Sequence, residues 1–355
     1  MQNYKILILG ASYGSLLASK IMFGGHHVKL ICLPAEADLI NSEGFRVRMP
    51  IRGRATPVEI DSRKLPGTVS AAGPADVNPK DFDLIGLAMQ EPQYGSPGVR
   101  ELLDAVAKSR VPCMSIMNMP PLPYVKRIPG LNTDKLKAAY TDPSVWDSFD
   151  PATLTLCSPD PQAVRPPDEK VNVLQVTLPT NFKVARFGSE ASTNILRQLE
   201  KDIDAIKFDT PEGKIDLPVK LRVHDSIFVP LAKWSMLLAG NYRCITADGM
   251  RTAQEAVHSN IEEARSVYNF VIDVCVKLGA SRDELVPFEK YAAAAESLSR
   301  PASAARALNN GAKNIERADK LVQLIAAELG MHHPVVDGIV ALVDRRLAAN
   351  RAKAA

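Results

Sequence analysis

The chain has 355 residues, a net charge of +3 and an apolar content of 46%. That is enough for two domains with sizeable cores, and too near neutral to call for nucleic acid or a membrane surface as a partner. Its five cysteines, Cys32, Cys113, Cys157, Cys244 and Cys275, are scattered without C-x-x-C spacing, so they read as reduced core thiols of a cytoplasmic protein and speak against a disulfide framework or a zinc site. The immediate entry into a strand predicts that no signal peptide is present, and no apolar run reaches membrane-spanning length.

Residues 5–9 form an apolar run of strand length that stops at Gly10; small residues follow, and a helical pattern runs from Leu16 to Phe23. Gly24-Gly25 ends it, and residues 26–31 are a second strand, so a β-α-β unit closes early in the chain. This is the strand, tight turn and helix of a dinucleotide-binding unit. Gly10 permits the sharp turn, Ser12 is small enough for a pyrophosphate to approach the backbone, and Gly14 or Ser15 lets the helix lie close to the sheet. The helix N-terminus offers N–H groups and partial positive charge to phosphates. Read literally the turn is G-x-S-x-x-S; read with a gap, Gly14 supplies the last glycine and the loop is one residue short. Gly10, Ala11, Ser12, Tyr13, Gly14 and Ser15 are the candidate cofactor-binding residues; the plainer reading is an ordinary α/β turn.

Further on, the pattern predicts a short helix over 34–41, a strand over 43–49, a buried strand over 82–88, a helix over 99–108 and a strand over 111–117 that stops at Asn118. Met119-Pro120-Pro121-Leu122-Pro123 cannot be regular structure. Residues 130–170, rich in Pro, Asp and Ser, read as an irregular insertion. Residues 171–176 and 182–187 look like a strand pair, 193–205 like a helix, and 207–209 like the approach to a last edge strand. From Asp225 onward helical periods take over, at 227–244, 253–278, 282–294, 302–329 and 335–351, with Gly279 and Gly330 as C-terminal stops and Ser281 with Glu284 as a capping box. The fold class is therefore α/β: a doubly wound Rossmann-type sheet domain over 1–223, followed by an all-helical domain over 224–355.

This succession resembles the ketopantoate reductase family, and local strings agree: Lys5–Gly10 with Gly14-Ser15-Leu16-Leu17-Ala18, Gly25-His26-His27-Val28, the run from Ala35 to Gly44, and Gly330-Met331-His332-His333-Pro334. The resemblance covers nearly the whole chain outside 130–170. It implies a reductase that transfers a hydride from NAD(P)H to a small 2-oxo acid or related carbonyl, with a catalytic Lys233, an active-site Asn118 that also meets the cofactor, a substrate-binding Asn241, and a substrate-binding serine at Ser299 or Ser303. It also implies a helical domain that serves substrate binding and pairing into a homodimer. The chain departs from the family's pattern at Ser12, at Cys32-Leu33-Pro34 after the second strand, at Gln90 in place of a lysine, and at Met119 in place of a glycine. The family's acidic residue falls on Asn314, with Glu316 two residues on and, in a continuous helix, on a different face. The scaffold is that of the family; the substrate is expected to differ.

Lys233 lies in the apolar stretch Phe228–Leu238. A lysine partly removed from water loses preference for its charged form and can donate a proton to a developing alkoxide near neutral pH; the plainer reading is a lysine snorkelling from an amphipathic helix. Asn241, eight residues on, shares its broad helical face. His224-Asp225 offers a base and its orienter, or simply a loop histidine before a capping aspartate. His26-His27 and His332-His333 read as turn residues. No acid at the end of the second strand repels a 2′-phosphate, and Arg46 or Arg48 lies within reach of one, so NADPH is the expected cofactor, with NADH the other candidate and no metal. Imine reduction of the opine dehydrogenase type and a non-catalytic dinucleotide sensor are the alternative readings.

Overall fold

A computed structural model describes residues 3–353. The chain divides into two compact units, one of residues up to 89, 93–124 and 145–225, the other of residues 90–92, 125–144 and 226 onward.

The first unit contains the strands β1 (Lys5–Leu9), β2 (His27–Ile31), β3 (Arg46–Met49), β4 (Val58–Asp61), β5 (Val69–Ala72), β6 (Leu84–Leu87), β7 (Cys113–Ile116), β8 (Leu154–Ser158), β9 (Gln162–Val164), β10 (Val173–Leu178), β11 (Phe182–Ala185), β12 (Lys207–Thr210), β13 (Gly213–Asp216) and β14 (Leu221–His224). Eight of them make one sheet in the order β14-β11-β8-β7-β6-β1-β2-β5. It is parallel from β5 to β8; β11 runs antiparallel to β8 and carries β14 parallel at the edge. β1 after its exposed Lys5, and all of β6, β7 and β8, are apolar or small-residue runs buried on both faces, as central strands of a parallel sheet must be. A smaller sheet, β4-β3-β10-β9, lies beside the first helix.

That helix, Ala11–Phe23, is packed on one side by β1 and β2 and on the other by β3 and β10. With two apolar surfaces to meet, it is buried continuously from Gly14 to Met22 and has no polar stripe. Its serines are satisfied locally, Ser15 and Ser19 donating to the Ala11 and Leu16 carbonyls at 2.5 and 2.7 Å, whereas Lys20 Nζ donates to the Pro218 carbonyl, far along the chain, at 2.5 Å.

Several sequence expectations change. Residues 130–170 are not an irregular insertion, because β8 lies within them and is an inner strand of the main sheet. Its residues are buried throughout, so it shows no alternation to read, and prolines and aspartates flank it. β10 and β11 do not pair with each other: β10 joins the small sheet and β11 the large one. Residues 207–209 begin a separate hairpin, β12-β13, and β14 is the edge. His26 is no turn bystander. It is 1% exposed; Nδ1 accepts from the Tyr4 N–H at 3.1 Å, which leaves Nε2 to donate to Asp202 at 3.1 Å. Both ring nitrogens are thereby engaged.

The second unit is helical. Its larger elements are Ala253–His258, Ile261–Leu278, Phe288–Ala295, Ser303–Asn309, Ala318–Glu328 and Pro334–Lys353, and among the described residues no strand lies beyond residue 250. Gly279, at φ +117°, closes the long helix in the left-handed conformation. The single helix expected over 302–329 is two: Asn309-Asn310-Gly311 breaks it, and residues 312–317 run non-helically until Ala318.

Candidate functional site

In the first unit the chain leaves β1 for β2 on one side and returns through β6 on the other, so the strand order reverses between β1 and β6. Ligands of open α/β sheets bind outside the carboxyl ends of the strands at such a reversal. Gly10 stands there at φ +103°, and a Cβ on it would lie 2.8 Å from the Ala88 carbonyl oxygen just past β6. No L side chain fits that conformation or that approach. The helix begins at Ala11 without a side-chain cap on its N-terminal N–H groups, and Ser12 is exposed beside them. A Cβ on Gly14 would fall 2.7 Å from Ile8 Cγ2, so Gly14 is the residue that lets helix and strand close together. The turn thus has the first and last glycines of the motif, one residue short between them, and its uncapped N–H groups fit a pyrophosphate.

The remaining side chains of this end are placed as follows. Tyr13 is half-buried and donates to the Pro161 carbonyl at 2.6 Å. Ser15 is turned into the helix. Asn118 is half-buried just past β7, followed by the buried Met119, Pro120 and Pro121, and Gln90 is exposed just past Met89. Arg46 and Arg48 sit on the small sheet and meet Glu59 at 3.5 and 3.0 Å, Arg48 also meeting Glu169 at 2.6 Å. Asp225 accepts from Arg197 at 2.8 Å, so it anchors that arginine rather than capping a helix.

The second unit holds Lys233 and Asn241, both half-buried. The helix between them is not continuous: an α-turn over Lys233–Met236 gives way to a π-turn over Leu237–Asn241, closed by the Tyr242 N–H on the Leu237 carbonyl, and then to a 3₁₀-turn. The π-turn changes the register. Eight α-helical steps would leave Asn241 about 80° around the axis from Lys233; one residue absorbed by the wider turn brings it to about 20°. The irregular carbonyls are bonded by side chains, Met236 by the Tyr291 hydroxyl at 3.2 Å and Ala239 by Arg243 at 3.3 Å. Gly240 makes room for this, since a Cβ there would lie 1.9 Å from the Tyr291 oxygen.

Tyr242 continues the chain of contacts: its hydroxyl donates to the Glu316 carbonyl and accepts from the Ala318 N–H at 3.0 Å. Glu316 is 7% exposed, and its carboxylate accepts from the Glu91 N–H at 3.4 Å. Glu91 is itself buried; burial raises its carboxyl above the ordinary range, against hydrogen bonds from the Thr141 N–H and hydroxyl, both 2.9 Å. Asn314 is exposed and accepts from Arg351 at 2.8 Å. Ser303 and Ser299 are exposed. The helical-face argument that separates Glu316 from Asn314 does not apply, because that segment is not a helix; Asn309-Asn310-Gly311 is the signal for the break. Glu91 carried no signal at all.

No protein-family model matches the chain, and no curated protein matches it. Solved structures do match over nearly its whole length. A ketopantoate reductase of the PanE/ApbA family from Ralstonia eutropha is 16% identical, with 98% of this chain and 99% of that one covered at a TM-score of 0.60. A dimeric ketopantoate reductase from Staphylococcus aureus is 11% identical over 98% and 99%, TM-score 0.59. A D-mandelate dehydrogenase in a ternary structure with NADH and anilino(oxo)acetate is 15% identical over the same shares, TM-score 0.62. At these identities the likeness is one of fold: an eight-stranded, mostly parallel sheet unit and a helical unit, arranged in sequence as in the ketopantoate reductases.

Proposed function

We propose that the chain is an NADPH-dependent reductase of a small 2-oxo acid or related carbonyl, built on the ketopantoate reductase plan but serving a different substrate. The observation that carries this reading is the Gly10 turn at the strand reversal, with its uncapped helix N-terminus and its contact to Ala88. Gly10, Ala11, Ser12, Tyr13 and Gly14 would hold the dinucleotide, with Gln90 and Asn118 beside the strand ends. When bound, the nicotinamide supplies the hydride.

The chain's own residues supply orientation and the proton. Lys233 donates a proton to the oxygen that becomes the alkoxide as the carbonyl is reduced, and Asn241, brought round by the π-turn, holds a polar group of the same substrate. Glu316, fixed through its backbone by Tyr242, takes the role that the resemblance assigns to Asn314: a buried carboxylate accepts a substrate hydroxyl where an exposed asparagine bonded to Arg351 does not. Met119 stands where the resemblance expects a glycine, and Pro120 and Pro121 after it supply no N–H, which is why ketopantoate is expected to be a poor substrate. A homodimer, as named for the staphylococcal structure, is part of the proposal and is tested by light scattering.

The experiment is loss of NADPH or NADH absorbance against a panel of aliphatic and aryl 2-oxo acids, with and without ammonia or an amine. Oxidation with a 2-oxo acid alone supports the reading. Oxidation only with an amine would replace it by imine reduction, and nucleotide binding without turnover by a sensor. Ketopantoate turnover at an ordinary enzymatic rate, about 1–1000 per second, would overturn the substrate part alone.

A further inference from the structure

In dinucleotide-binding sheets the adenine ribose lies beyond the end of the second strand, and the charge found there decides between a 2′-hydroxyl and a 2′-phosphate. Here β2 ends at Ile31, and Cys32-Leu33-Pro34 supplies no charge; Leu33 is 75% exposed. The first ionic group is Glu36, in the first turn of the helix Pro34–Glu43. Its carboxylate is taken by the guanidinium of Arg165, which arrives from 129 residues away, just past β9. Arg165 also acts on the end of β2 itself. Burial, and then Glu36, push the Cys32 thiol up to about 12, and Arg165 works against them.

The path that delivers Arg165 is fixed at both ends. Tyr13, in the first turn of the dinucleotide helix, holds the Pro161 carbonyl at 2.6 Å, and Val164 pairs with Gln175 of β10. One segment therefore runs from the pyrophosphate turn to the ribose end. Arg165 remains partly exposed, at 31% of its side chain, and pairs with Glu36 just past the end of β2; Arg46 and Arg48 lie on the small sheet and pair there with Glu59 and Glu169.

We propose that Arg165 is the residue that selects NADPH, its guanidinium taking the 2′-phosphate and Glu36 holding the guanidinium in place when no nucleotide is bound. A phosphate monoester carries a charge of about −1.5 to −2 and several acceptor oxygens. It meets the planar guanidinium fork more strongly than one carboxylate does. A 2′-hydroxyl has neither property and leaves the Arg165–Glu36 pair closed. Glu36 consequently opposes the phosphate by its own charge as well as by competing for the arginine. The inference rests on the dinucleotide reading of the Gly10 turn and gives it a cofactor preference.

The test is direct binding without substrate: dissociation constants of NADPH and NADH by nicotinamide fluorescence for the parent, Arg165→Gln and Glu36→Gln, with melting temperatures as a check on folding. Displacement of NADPH by adenosine 2′-monophosphate and by adenosine 5′-monophosphate is measured alongside. The parent is expected to bind NADPH more tightly than NADH and to respond to the 2′-nucleotide. Arg165→Gln should weaken NADPH by about 10- to 100-fold, the loss of charge-assisted hydrogen bonds, and change NADH little. Glu36→Gln should tighten NADPH. A parent that prefers NADH, or an Arg165→Gln variant that moves both nucleotides equally or neither, overturns this inference and leaves the dinucleotide site standing. A parent that binds neither nucleotide overturns that site, and this inference with it.

Discussion

Each unit buries a cation, and they do it in opposite ways. Lys20, in the first helix of the α/β unit, is 1% exposed and has the Pro218 carbonyl as its bonded partner; burial, with some help from Lys220, pulls its amine down to about 7. Arg317, opening the helix Ala318–Glu328, is bonded twice by the fully buried Asp319, at 2.9 and 3.0 Å, and again by Asp344. Burial works against its charge, but the carboxylates outweigh burial and hold the guanidinium above its ordinary range. One unit tolerates a lysine by letting it shed its proton; the other keeps the charge and surrounds it. The same contrast runs through the functional helices. Ala11–Phe23 is regular and has no polar stripe, and in the proposed reading it offers a ligand only its end, through backbone groups. The segment from Lys233 to Cys244 changes helical type twice and, in the proposed reading, offers side chains from one stripe, so its irregular backbone needs polar partners, the Tyr291 hydroxyl from outside and its own Arg243 and Tyr242. A site made of backbone can sit in an apolar sandwich, whereas a site made of aligned side chains requires a polar network around it.

The predictions press on this contrast, the largest effect first. Lys233→Met keeps the apolar stem and removes the proposed proton donor. Turnover with the best substrate should fall about 100- to 10,000-fold, or about 3–5 kcal/mol, with the NADPH dissociation constant unchanged. Unchanged turnover, or lost nucleotide binding with turnover at saturation intact, would remove Lys233 from the catalytic role. Arg317→Met leaves the Asp319 carboxylate buried without its partner and should cost about 3–5 kcal/mol of stability in denaturant titration; a loss under 1 kcal/mol would show that the network is dispensable.

Lys20→Met should act in the opposite direction. The folded amine near 7 lies below its ordinary value of 10.5, so the unfolded chain binds the extra proton between those two values. The lysine's penalty is therefore fully present below pH 7 and relieved as the pH rises from about 7 to 10.5. The variant should be more stable than the parent by about 2–4 kcal/mol at pH 7, with the difference shrinking toward pH 10. A variant less stable than the parent at pH 7 would contradict a neutralised lysine.

The smallest effect concerns the π-turn. Tyr291→Phe removes the hydroxyl that bonds the Met236 carbonyl and should cost about 1 kcal/mol, raising KM more than it lowers stability elsewhere in the helical unit. Gly240→Ala places a methyl against that hydroxyl and should cost about 1–3 kcal/mol, with part of the loss recovered in the double variant Gly240→Ala/Tyr291→Phe. Simple additivity of the two would show that they do not meet.

How much of this was legible beforehand follows from what each feature depends on. Residues 5–31 fix a strand, a glycine turn, a helix and a second strand by local steric and apolar preference alone, and the passage from strand-length runs to helical periods near residue 224 is equally local. The likeness to ketopantoate reductases could be read at that level, and so could Gly10 and Gly14, because a positive φ or a close helix–strand approach admits few residues. Tertiary structure decided the rest. β8 is buried on both faces and so has no alternation to betray it. The direction of Asn241 depends on one π-turn that Tyr291, fifty residues later, stabilises. Glu316 and Glu91 became a buried pair because their segments pack together in the helical unit. Arg165 reaches the end of β2 only because Tyr13 and β10 hold its strand in place. Local propensity writes the elements; which charged side chain stands beside which strand end is settled by packing between residues far apart in the chain, and no local pattern encodes it.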